Sequence, residues 1–187
     1  MPTNNKIILG FTGLMAGGKG TAAKYLEEKH GAATFRFSTM LRDALDRFYL
    51  EHSRDNMIKM SEIMRGTYGE DIMAKTMAHD VGEADKNLIM VDGIRRMADI
   101  EHLKQMPNFV LVEIFADPKT RHERLVQRGE NTDDTSKTYE QFLEDHNRST
   151  EQSILEVITH ANEKVDNNGN YEDLYKQLDD LVNKYAS

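Results

Sequence analysis

The segment that most limits how this chain can fold is Gly13-Leu14-Met15-Ala16-Gly17-Gly18-Lys19-Gly20-Thr21, because of what flanks it. It follows an apolar run, Ile7-Ile8-Leu9-Gly10-Phe11, that reads as a buried strand, and it precedes an amphipathic stretch that reads as a helix through about His30. The spacing fits G-x-x-x-x-G-K, in which glycines let the backbone curl around an anion with several N–H groups pointing inward. The helix that starts there adds the positive end of its dipole, and Lys19 reaches the β and γ phosphates as a mobile point charge. A nucleoside triphosphate site is therefore expected, with Gly13, Ala16, Gly17, Gly18, Lys19, Gly20 and Thr21 contacting the nucleotide. Gly20 stands where Ser or Thr normally supplies a hydroxyl to Mg²⁺. Thr21, water or a carboxylate such as Asp92 must then take over part of that role.

The same strand–helix rhythm continues along the chain. Thr34–Phe37, Leu88–Val91 and Val110–Phe115 read as further strands, with a weaker one around Lys164-Val165. Near-continuous apolar runs suit parallel strands covered on both faces. The expected fold class is α/β, a P-loop NTPase fold with a doubly wound parallel sheet of about five strands flanked by helices. Two stretches interrupt it. Residues 38–81 read as a helical insertion, and residues 129–147 as a polar, turn-rich segment that becomes helical and suits a lid. The core is then 1–37, 82–128 and 148–187, in one domain. The stripe Leu174, Leu178, Leu181, Val182 predicts a last helix, Tyr171–Tyr185, packed on the sheet. Met57, Met60 and Met64 recur at helical spacing in the insertion and read as core packing, with an adaptable acceptor pocket as the other reading.

Composition narrows the chemistry. The chain of 187 residues has no cysteine, which excludes a disulfide scaffold, thiolate zinc, an iron–sulfur cluster and cysteine nucleophiles. Its seven histidines show no metal-ligand spacing, and no G-x-S-x-G elbow is present. A net charge of −8 argues against general nucleic-acid binding. No apolar run approaches the ~20 residues that span a bilayer, and no signal peptide is visible, so a cytoplasmic setting is expected. A bound anion must instead be held by local cations.

Phosphoryl transfer needs such cations around a highly charged transition state. Arg95 and Arg96 follow Val91-Asp92-Gly93-Ile94 at the carboxyl end of the third strand, where ligands bind in open parallel sheets. Arg124 and Arg128 share a helix face just before the expected lid, and Arg121 is placed to join them. Arg148 lies on the far side of the lid and Arg42 early in the insertion, whereas Arg47 and Arg54 read as solvated surface. Asp92 ends its strand beside the loop and reads as a direct or outer-shell Mg²⁺ partner, with helix capping as the alternative.

These residues resemble a family. The loop ending in Gly-Lys-Gly-Thr is similar to that of adenylate kinases and related nucleoside monophosphate kinases. Ser38-Thr39-Met40-Leu41-Arg42 resembles their acceptor-binding S-T-G-D-M-L-R without the Gly-Asp pair, and Asp92-Gly93-Ile94-Arg95-Arg96 resembles their D-G-F-P-R. Arg124/Arg128 and Asp133-Asp134 with Arg148 resemble the residues around their lid. Over residues 7–182 the chain also resembles a mostly archaeal group of adenylate-kinase-like and dephospho-CoA-kinase-like P-loop proteins. There V-D-G-I-R and an Asn-Gly turn, here Asn168-Gly169, recur.

The resemblance implies ATP as donor, Mg²⁺, and a small nucleotide acceptor. By it, Lys19, Arg128, Arg148 and Asp92 are catalytic, and Arg124 and Asn168 join the loop in holding ATP. Ser38, Arg42, Arg95 and Arg96 hold the acceptor, and Thr21 and Asp92 the metal. Dephospho-CoA kinases carry an aspartate base where this chain has Ser38, and a phosphate acceptor needs no base. A nucleoside or deoxynucleoside monophosphate is therefore the expected acceptor, with dephospho-CoA-like ribose phosphorylation as the first rival. A regulatory ATPase or switch is the second. No N-K-x-D guanine signature is present, and the chain is too short to add the helical lid domain of an AAA+ machine. A monomer or small homo-oligomer without nucleic-acid or membrane partners is expected.

Overall fold

The computed structural model describes residues 6–128, 134–146 and 149–186. Its sheet comprises five parallel strands: β1 (Ile7–Thr12), β2 (Ala33–Arg36), β3 (Leu88–Asp92), β4 (Phe109–Phe115) and β5 (Glu163–Asp166), in the order β2-β3-β1-β4-β5. The first strand is central, and Gly10 faces Val91 on β3 and Leu111 on β4. The chain leaves β1 toward one edge and after β3 crosses to the other, so the reversal falls beside β1, where such sheets open a ligand crevice at their carboxyl ends.

Successive side chains alternate between two apolar layers, as a strand requires. Ile7, Leu9, Phe11, Met90, Val112 and Ile114 pack with Ala22, Leu26, Leu174 and Leu178, which belong to α1 (Lys19–His30) and α9 (Tyr171–Tyr185). Ile8, Ile89, Val91 and Leu111 face the other way, onto Met73, Met77 and Val81 of α4 (Ile72–Glu83), Ile100 of α5 (Met97–Ile100) and Val157 of α8 (Ser149–Ile158). Both faces are covered, which is why the strands read as near-continuous apolar runs. The expected last helix forms over the predicted residues. Asn170 caps it by accepting from Asp173 N at 3.0 Å, and Leu174, Leu178, Leu181 and Val182 are buried.

Three further helices bear on the site: α2 (Phe37–Arg47), α3 (Arg54–Tyr68) and α6 (Pro118–Arg128). A short α7 (Tyr139–Asp145) follows a 3-10 turn at Asp134–Ser136. The second strand sits one residue earlier than expected, because Phe37 turns inward as the first residue of α2. The methionine stripe departs further from expectation. Met57, Met60 and Met64 are only half-buried, and no described residue of α3 is buried. Helix α3 packs on α2 and α4 rather than on the sheet, so its apolar face is incompletely covered.

Candidate functional site

At the carboxyl end of β1 the chain turns tightly between two neighbouring strands. Gly13 has φ +140°, and a Cβ there would collide with the Ile114 carbonyl of β4, which as sheet backbone cannot yield. The buried Thr12 hydroxyl donates to Ile94 O at 3.3 Å and ties the loop to the exit of β3. Gly17 N closes the turn on Leu14 O at 3.2 Å, with Ala16 at φ +60°. Gly18, at φ +101°, starts α1, and a Cβ there would collide with the Asn167 amide. That amide is buried and donates to Gly17 O at 2.9 Å. Nothing lies within 4 Å of a Cβ at Gly20, so packing does not forbid the missing hydroxyl.

Lys19 folds back over this loop, donating to Gly13 O and, at 3.1 Å, to Leu14 O. Burial pushes its ammonium down to about 8, against the opposing pull of the Asp92 carboxylate; Arg95 lowers it further, and Glu151 and Arg121 act in opposite senses. Five charged groups from four parts of the chain thus share one field. Asp92 is itself buried at the end of β3, with Oδ1 accepting from Gly93 N at 2.7 Å and Oδ2 bonded to Arg36 at 2.9 Å. A carboxylate offers about four lone-pair sites, so Asp92 keeps capacity for a metal or its water beside Arg36. Thr21 lies half-buried in the first turn of α1. A hydroxyl and a carboxylate are hard oxygen donors of the kind Mg²⁺ takes.

The arginines fall into distinct roles. Arg95 is exposed and feels Lys19, while their loop is shaped by buried Asp99, which accepts from Arg95 N at 2.9 Å and Arg96 N at 3.0 Å. Burial raises the Asp99 carboxyl even against those two bonds. Arg96 lies 3.8 Å from Glu70, and Arg42 donates to Ser38 Oγ at 2.7 Å within α2. Arg124 is half-buried, its Nη1 has no hydrogen-bond partner, and that atom would lie 3.9 Å from a Cβ on Gly18. Arg128 is exposed at the end of α6, and Arg148 lies outside the described residues.

Asn168 accepts from Asp117 N at 2.8 Å and donates to Asp166 at 2.7 Å, bracing the turn after β5. Its neighbour Asn167 is the residue that reaches Gly17. Arg121 does not join Arg124 on an open face. It is buried, donating through Nε to Ala116 O at 3.0 Å and through Nη1 to Met15 O at 3.2 Å.

Three residues escaped the sequence reading. Arg36 pairs with Asp92, and Glu151 opens α8 against the loop, with Oε2 3.4 Å from Met15 N. Arg65 on α3 bonds Ser61 and lies beside Arg96 and Asp99; burial, then Arg96, holds its guanidinium below its ordinary value. None belongs to a spacing pattern. Each becomes visible only when elements distant in sequence meet.

An all-parallel β2-β3-β1-β4-β5 sheet with a glycine loop and lysine at the end of its central strand defines a P-loop kinase-like fold. The sequence model described as AAA domain matches residues 12–142, and the chain belongs to that family. Among its relatives are a UPF0200 protein of Sulfurisphaera tokodaii, 29% identical, covering 95% of this chain and 96% of its own, and a UPF0200 protein of Methanococcus maripaludis, 28% identical with the same coverage. Its fold is similar to that of TT1252 from Thermus thermophilus, with a TM-score of 0.61 and 16% identity, covering 96% of this chain and 97% of that one. It is also similar to a shikimate kinase from Acinetobacter baumannii solved with shikimate, with a TM-score of 0.56 and 16% identity, covering 96% and 94%.

Proposed function

We propose that the protein transfers a phosphoryl group from ATP to a small nucleotide acceptor, a nucleoside or deoxynucleoside monophosphate. One observation carries the reading: a half-buried, desolvated lysine inside a glycine loop shares its field with an arginine and an aspartate delivered by the neighbouring strand. ATP would lie over residues 13–21, with Arg124 against its base or triphosphate. Lys19 and Arg128, aided by Arg148, would neutralise the moving phosphoryl group. Mg²⁺, held by Thr21 and Asp92, would supply charge neutralisation at the bound phosphates.

On the acceptor side, Arg95 and Arg96 would hold the phosphate together with Arg42 and Ser38, and Arg65 adds a cation from α3. Ser38 is committed to Arg42, which supports an acceptor that is already an anion over a hydroxyl that needs a base. Closure of the 129–147 lid over the core would exclude water and suppress ATP hydrolysis. A cytoplasmic monomer or small homo-oligomer suits this role. The first rival is a dephospho-CoA-like ribose hydroxyl as acceptor. The AAA domain match favours a second, a regulatory ATPase whose turnover ignores acceptors. Lys19→Ala should abolish transfer while thermal unfolding stays cooperative; turnover at the wild-type rate would refute the assignment.

A further inference from the structure

The peptide groups of Met15, at the tip of the loop, are gripped from opposite flanks. Its carbonyl accepts from Arg121 Nη1 of α6 at 3.2 Å, and its N–H faces Glu151 Oε2 of α8 at 3.4 Å. Both side chains are buried, at 2% and 9% of full exposure. Burying a charge is costly unless it is bonded and paired, and buried ion pairs can often be replaced by apolar side chains without loss of stability. The charges therefore need a reason. The next residue, Ala16, supplies one: at φ +60° it holds a left-handed conformation that costs a non-glycine residue about 1–2 kcal/mol. Fixing both peptide groups of Met15 is a way to hold that conformation.

Arg121 also reaches beyond the loop. Its Nε donates to Ala116 O at the end of β4, and its Nη2 meets His146 Nε2 at 2.7 Å. Its guanidinium lies 5.2 Å from the centre of the buried Phe142 ring of α7. His146 Nδ1 sits 2.9 Å from Phe142 O, so the neutral Nδ1–H tautomer satisfies both contacts, donating to that carbonyl and accepting from Arg121. One planar group thus touches the loop, the sheet and the helix that precedes residue 147. A lysine, with a single point of charge, cannot span the three.

We propose that Arg121 and Glu151 are positioning residues that set the Met15–Ala16 peptide and, through His146, couple the nucleotide loop to α7. Loop geometry and the position of α7 then change together. The consequence for ATP rests on the function proposed above, whereas the grip on the loop does not.

The test uses the full chain and two readouts: hydrogen exchange of the Met15, Ala16 and Gly17 amides, and affinity for a non-hydrolysable ATP analogue. Glu151→Ala and His146→Ala should speed loop exchange about fivefold to tenfold, the loss of one hydrogen bond's worth of protection, with β1 and β4 amides unchanged. His146→Gln should restore wild-type exchange, because its amide oxygen accepts from Arg121, a rescue that mere loosening of α7 would not give. Analogue affinity should weaken in the same order. Unchanged loop exchange in both alanine variants, or no difference between His146→Gln and His146→Ala, would overturn the proposal. Altered exchange in a protein that binds no ATP analogue would uphold the grip and sink the donor reading instead. Should Arg121→Lys fail to fold, the Glu151 and His146 variants still decide.

Discussion

Gly18→Ala is the substitution whose cost the structure defines most closely. At φ +101° an alanine bears about 1–2 kcal/mol of backbone strain. Its Cβ would also collide with the Asn167 amide and drive it off Gly17 O, breaking a buried 2.9 Å hydrogen bond and stranding its groups, worth about 1–3 kcal/mol. The single variant should therefore lose about 2–5 kcal/mol. Asn167→Ala alone should lose about 1–3 kcal/mol through the same bond. In the double variant that bond is lost only once and the collision disappears. The loss should fall short of the sum of the singles by the worth of that bond, about 1–3 kcal/mol. Urea unfolding of the four proteins measures this cycle, provided the m-values agree. Additivity within about 0.5 kcal/mol would refute the contact between β5's exit and the loop as the reason for glycine at this position.

Other consequences are as direct. Because burial lowers the Lys19 ammonium to about 8, the free fold binds fewer protons there than the unfolded chain, and this lysine's contribution makes the nucleotide-free fold more stable as pH rises from about 8 toward 10.5. Bound phosphates favour the charged lysine, so ATP binding should take up a proton and weaken by up to about tenfold per pH unit above 8. Calorimetry at pH 9 in buffers of different ionisation enthalpy checks this, and heats independent of buffer would contradict it. Arg65→Ala should raise the acceptor KM about 10- to 100-fold with little change in the ATP KM, as loss of a charged hydrogen bond on one side of the site predicts. Equal effects on both constants would place Arg65 outside the acceptor site. Leu178→Ala, at a fully buried position of α9, should cost about 2–5 kcal/mol in urea without altering steady-state constants.

Much of this architecture was legible in the sequence because it rests on local patterns. The nucleotide loop, five strands and the α9 stripe each follow from spacing, burial periodicity or capping within a few residues. The methionine stripe misled because a helical period reports amphipathicity without saying what covers the face, and α3 packs mainly on α2 and α4. That Asn167, rather than its neighbour Asn168, donates to Gly17 O depends on where the exit of β5 meets the loop, which sequence spacing does not show. Arg36, Arg65 and Glu151 acquire meaning from β2, α3 and α8 converging on β3 and the loop. Arg121 looked like one more cation beside the nucleotide, yet its burial and three-way bonding make it part of the frame.

Product formation from ATP and Mg²⁺ is the decisive measurement. The panel would hold AMP, CMP, UMP, GMP, their deoxy forms and dephospho-CoA, with a control lacking acceptor and Lys19→Ala beside the wild type. One monophosphate should give ADP and a diphosphate product far above the control, and Lys19→Ala should give neither. ATP hydrolysis at one rate regardless of acceptor would contradict phosphoryl transfer and make the protein a regulatory ATPase.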